Sequence, residues 1–183
     1  MEIFLIGIVA IVVLIGLWAV MVYNSLISER EMVRNSRGQI SAQIESRWDA
    51  LSSLISAVKQ YAAYEASTFE KVTAQRASLG KNPNVPELEA SAKQFDDVFS
   101  RLLAVAESYP DLKASAVYQT AMQNVNEFEN NVRHARMIYN DTVTKFNKRI
   151  QMFPSSIIAG IFSFIQEQYF METETKKDMP SWA

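Results

Sequence analysis

The chain has 183 residues, 18 Lys and Arg against 20 Asp and Glu, one His and no Cys. The missing thiols exclude disulfides, thiolate metal sites and a Cys nucleophile, and the net charge of −2 argues against a nucleic-acid binder, which needs a basic face. Five Gly and five Pro are few breakers for this length, and they predict an all-α fold.

The first element is Ile3 to Val22, twenty residues without a charge, an Asn, a Gln or a Pro. At 1.5 Å per residue it measures about 30 Å, the thickness of a bilayer's hydrocarbon core. The run is apolar on every face of such a helix, so it reads as a membrane span, with Ile3, Ile6, Ile11, Leu14, Trp18 and Val22 among its residues. Trp18 and Tyr23 suit headgroup depth. A signal peptide would carry a basic start and a small-x-small cleavage site, and Met1-Glu2 and the residues after the run offer neither. Arg30, Arg34 and Arg37 follow the span, and no Lys or Arg precedes it. That asymmetry predicts an N-terminus outside and residues 23–183 in the cytoplasm.

From Ile40 apolar residues recur in steps of four and three: Ile44, Trp48, Leu51, Ile55, Val58 and Ala62, then, past position 65, Phe69 and Val72. This is a heptad seam, and without a Pro before Asn82 the helix is predicted to run from the bilayer to about Ala77. Gly38 is where a bend is expected. Glu65 interrupts the seam. It reads either as a buried carboxylate with a raised pKa or, more economically, as a register-setting residue paired with a cation of another helix. Gly80 and Pro83 to Pro86 end the helix. A second helix begins at Pro86, carries Leu88, Ala92, Phe95, Phe99, Leu102 and Ala106, and stops at Pro110. A third starts near Ala114 with its seam on Tyr118, Ala121, Val125, Phe128, Val132, Ala135, Tyr139, Phe146 and Phe153. Near its end Val143 and Ile150 stand beside lattice positions Thr142 and Arg149, the drift of a 3.6-residue helix against a 3.5-residue repeat.

The prediction is a single transmembrane helix (1–22) continuing into an antiparallel, coiled-coil-like bundle of three to four helices (23–152). The second helix is shorter than the third, which leaves an overhang to cover. Phe153-Pro154-Ser155-Ser156 breaks the third helix and is expected to cap a short apolar helix, Ile157 to Phe170, within a segment 153–170. Too short to span a bilayer and too apolar for water, that helix marks an interface. Its own bundle, a neighbouring subunit and a lipid surface are the competing destinations. Phe153, Ile157, Ile161, Phe162, Phe164, Tyr169 and Phe170 are the candidate oligomer-interface residues. Residues 171–183 form a polar tail with Trp182 near its end. Asn140 and Asn147, seven apart, share a side of the third helix as candidate register-setting polar residues.

Two stretches carry a resemblance. Ala135-Arg-Met-Ile-Tyr139-Asn140-Asp-Thr-Val143-Thr-Lys-Phe146-Asn147, followed by Phe153-Pro154 and Tyr169-Phe170, resembles the LemA family of bacterial membrane proteins. Ala104-Val-Ala-Glu107-Ser-Tyr109-Pro110-Asp111-Leu112-Lys113-Ala114 and the Tyr23-Asn24 juncture resemble it too. The resemblance implies one N-terminal span, a helical cytoplasmic domain, no cofactor and no catalytic residues. One departure is that the first helix lacks the family's Pro around Ser46 to Ile55, which predicts a straighter helix.

The residues point the same way on chemistry. A di-metal bundle site needs paired Glu-x-x-His, and His134 stands alone between Arg133 and Arg136. There is no Gly-rich phosphate loop or nucleophile elbow. The expectation is a non-enzymatic protein of the bacterial inner membrane. It binds the lipid bilayer and self-associates into a ring or dome, with room for another membrane protein as partner. The alternative is an adaptor tethering a soluble signalling or proteolytic partner.

Overall fold

The computed structural model describes residues 1–59, 61, 80 and 83–170. Helix α1, Glu2–Lys59, runs about 87 Å from the apolar run into the bundle, without interruption at Gly38. The predicted continuation to Ala77 meets a turn: Tyr61 N–H donates to Val58 O at 2.9 Å. Residues 62–79, including Glu65, Phe69 and Val72, lie outside the described residues, as does the tail 171–183.

Helix α2 (Val85–Glu107) opens on a capping box. Asn84 Oδ1 accepts the Glu87 N–H, and Glu87 Oε2 accepts the Asn84 N–H, both at 2.9 Å. Pro86 sits in its first turn, where a missing N–H costs nothing. A single turn, α3 (Pro110–Ala114), then leads into α4 (Ala116–Gln151), whose first turn is capped by the Ser115 hydroxyl accepting the Tyr118 N–H. The chain turns at Met152 to Pro154, where the Phe153–Pro154 peptide is cis. It then forms α5 (Ser155–Ile161), turns at Phe162 and Ser163, and returns along α4 as a non-helical segment, 164–170.

The core is the α1–α4 antiparallel pair, with α2 packed on the distal half of α1. The seam residues of α1, Ile40, Ile44, Trp48, Leu51, Ile55 and Val58, are all buried. The seam also reaches further back than the apolar pattern suggests, through Val33 and Leu26 to Val22. Polar residues mask it in the sequence. Ser36 lies on it and donates to Val33 O, and Glu29 lies on it and meets Arg149 Nε at 3.6 Å. On α4 the expected drift occurs: Val143 and Ile150 are buried, and Phe153, on the undrifted lattice, is exposed.

The predicted helix over 157–170 is corrected. It ends at Ile161 because Ser163 takes a left-handed φ of 53°. Ser163 N–H then reaches Gly160 O and Phe164 N–H reaches Ala159 O, a Schellman closure with the apolar Phe164 after it. The expected cap also differs. Ser155 Oγ donates back to Arg149 O and Met152 O, tying off the end of α4 instead of starting α5.

Candidate functional site

Two constellations organise the protein, one at each end of the α1–α4 pair. The one nearer the apolar run is built by α4 and segment 164–170. Asn147 Nδ2 donates to Glu167 O and its Oδ1 accepts the Glu167 N–H, both at 2.9 Å. Asn140 repeats this on Phe170, donating at 3.2 Å and accepting at 3.0 Å. Each side-chain amide therefore does what a neighbouring strand's peptide group would do. The spacing explains why two Asn seven apart serve. Seven helical residues rise about 10.5 Å on one face, and three extended residues advance about 9–10 Å. The inward residues of the segment recur every third position: Phe164, Glu167 and Phe170. Tyr139 adds a rung, its hydroxyl donating to Gln168 O at 2.9 Å while its ring meets Phe170 edge-on at 5.2 Å. Burial pushes the Tyr139 hydroxyl up to about 12, with Glu167 adding and Arg37 opposing. Arg136 lies over the Phe170 ring and Arg30 over Phe164, at 5.6 and 5.3 Å.

Of the seven candidate interface residues, Phe170 is buried and Phe164 half-buried in their own chain. Phe153, Ile157, Ile161 and Phe162 are exposed on the outside of α5 and its flanks, and Tyr169 is exposed on the non-helical segment. Phe162 also touches Tyr23, their ring centroids 4.5 Å apart. Along the apolar run, Ile3, Ile6, Ile11 and Leu14 are exposed, Trp18 is half-buried and Val22 is buried. The bundle core therefore begins inside the last turn of the span.

The distal constellation was not legible beforehand. Arg47, 2 % exposed, sends Nη2 to Asp96 at 2.7 Å and Nη1 to Glu129 at 2.8 Å, joining α1 to α2 and α4. Its guanidinium stacks on Phe95 at 3.6 Å. Burial pulls Arg47 down from its ordinary value, opposed by Glu129 and Asp96, and pushes the Asp96 carboxyl up against the pull of Arg47. Next to it Trp48 Nε1 donates to Ser91 Oγ at 3.1 Å and packs edge-on against Phe95. The available signal was an Arg one position before a seam Trp, a place where a long planar cation can reach two other helices.

Asn140, Asn147 and Tyr139 spend their polar atoms on main chain, and Arg47 turns Nη1 and Nη2 to two carboxylates while its buried Nε has no hydrogen-bond partner. Among the described residues no three His, Cys, Asp or Glu are grouped to hold a metal. A shallow cleft lined by Arg34, Arg37, Ser41, Glu45 and Pro83 has a volume of about 200 Å³ and a single carboxylate.

The chain is 25 % identical to Magnetosome protein MamQ 1 and to Magnetosome protein MamQ 2 of Paramagnetospirillum magneticum, over 82 % of its length. It spans 65 % of the length of each. Protein LemA of Metamycoplasma hominis is also 25 % identical, with 84 % of this chain and 71 % of that protein aligned. The model of the LemA family matches residues 36–182, which cover the bundle from Ser36 onward, both Asn rungs and α5. The chain belongs to the LemA family.

Proposed function

We propose that this membrane-associated helical protein is a non-enzymatic scaffold of the bacterial inner membrane, whose bundles associate side by side into a closed ring or dome. The observation that carries the reading is the continuity of α1 from the apolar run into the bundle. A helix without a hinge makes the bundle's direction follow from the anchor, so copies in one membrane stand parallel with the same flanks presented. Anchors that enter one bilayer from one side favour cyclic symmetry about the membrane normal, which closes into a ring. Confinement to the bilayer raises the effective concentration of copies. The flanks retain apolar surface for such packing, with Met32 on α1 and Val117, Met137 and Ile138 on α4 about half exposed or more. The relatives' names, LemA and MamQ, specify no reaction.

Native mass spectrometry of the full chain in mild detergent tests the assembly. Discrete closed oligomers are expected, and a monomer at micromolar concentration overturns the reading. A monomer that carries one partner at fixed stoichiometry would point to the adaptor instead. The cytoplasmic orientation is tested with Ser181→Cys, a unique thiol in a chain without Cys. An impermeant thiol reagent is expected to label it after lysis and not in intact cells.

A further inference from the structure

We propose that the outer face of α5 and its flanks seats in the boundary layer of the bilayer that holds α1, so that each copy grips its membrane at two points. The inference rests on the apolar run being a span and does not depend on the ring. Position is the first argument. Helix α4 returns antiparallel to α1, Arg149 of its last turn meets Glu29, and the chain then folds under the bundle until Phe162 lies on Tyr23. The core cluster includes Val22, with Trp18 and Ala19 packed against it. Trp18 is about 6 Å inside the end of the apolar run, so what packs there lies at the depth of the hydrocarbon edge.

Composition is the second argument. No Asp, Glu, Lys or Arg occurs between Gln151 and Glu167. Exposure is the third. Ile158 and Ala159 face the core, while Phe153, Ile157, Ile161, Phe162 and Ile165 are 80, 51, 68, 54 and 79 % exposed. Such an apolar surface in water marks an interaction site. Here it is continuous with the lipid-facing surface of α1, through Phe162 on Tyr23. The cations of the last turn of α4, Lys148 and Arg149, precede this uncharged stretch as they do at a headgroup boundary. With no cation on the apolar face itself, the attachment is hydrophobic and insensitive to salt.

The test uses the full chain in phosphatidylcholine vesicles, with single Cys variants carrying a nitroxide. Ile157→Cys and Ile161→Cys report the proposed face, Leu14→Cys the span and Glu127→Cys an exposed polar position of α4. Collision with oxygen, which concentrates in lipid, is compared with collision with a water-soluble nickel chelate. The oxygen-to-nickel ratio at 157 and 161 is expected to lie severalfold above that at 127, towards that at 14, and to hold in 1 M salt. A ratio at 157 and 161 equal to that at 127, with 14 in lipid, overturns the proposal alone. Shielding from both reagents with spin–spin broadening assigns the face to a second copy and also overturns it. An aqueous reading at 14 overturns the span and the second grip together.

Discussion

Replacing Asn147 with Ala removes one complete rung from the ladder that holds segment 164–170 on α4. The wild-type amide makes two hydrogen bonds of 2.9 Å to the main chain of Glu167. At about 1 kcal/mol net for each, the loss is about 2 kcal/mol, and it falls on the segment rather than on the whole bundle. The Glu167 N–H, which no longer has its Oδ1 acceptor, should then exchange with solvent about 30-fold faster, since each 1.4 kcal/mol is a factor of ten. Hydrogen exchange read by mass spectrometry on peptides covering 162–170 measures this. The Phe170 amide, still held by Asn140, should accelerate less. Asn147→Asp sharpens the experiment. At neutral pH its carboxylate keeps an acceptor for the Glu167 N–H but places a second oxygen against Glu167 O, so protection should be no better than in the Ala variant. Protonating that carboxyl supplies a donor and should restore part of the protection. Wild-type exchange at Glu167 in the Ala variant, or full protection in the Asp variant at pH 7, would refute the ladder.

Three further outcomes are expected. Arg47→Met should lower stability by about 2 kcal/mol in urea unfolding followed by circular dichroism, and Arg47→Ala by more. Asp96 and Glu129 are 60 and 39 % exposed and rehydrate, so the loss stays below the 3–5 kcal/mol of a fully buried pair. Trp48→Phe should cost about 1 kcal/mol by the same assay, through the lost hydrogen bond to Ser91. The Tyr139 hydroxyl titrates near 12 in the fold and near 10 unfolded, so the unfolded chain gives up that proton first. Its contribution is therefore complete below pH 10 and lost as pH rises to 12. Over that interval wild type should lose up to about 2.7 kcal/mol more than Tyr139→Phe, read as the shift in thermal midpoint at each pH.

How far the chain could be read depended on whether its patterns were local. The apolar run, the breakers from Gly80 to Pro86 and the drift on α4 are statements about spacing along one helix, and each is visible in residue order. The proximal part of the α1 seam was hidden because Glu29 and Ser36 occupy seam positions. A polar residue on a seam is legible only once its partner is known, and Arg149 is 120 positions away. Segment 157–170 was read as one helix because its apolar spacing allows it. Its second half is non-helical because Ser163 turns left-handed and because the Asn140 and Asn147 amides accept and donate to peptide groups that a helix would have used up itself.

By itself the sequence determined an apolar run long enough to cross a membrane, the helical class and the antiparallel order, since hydropathy, heptad spacing and breakers act through neighbours in the chain. Only the tertiary structure decided what the polar groups are for. Two asparagines became a clasp for a non-helical segment, and one arginine became the bridge among three helices. It also placed the apolar face of α5 beside Tyr23, at the edge of the span. Hydrogen bonds and ion pairs depend on distance and direction in space, and residue order constrains neither for groups far apart in the chain.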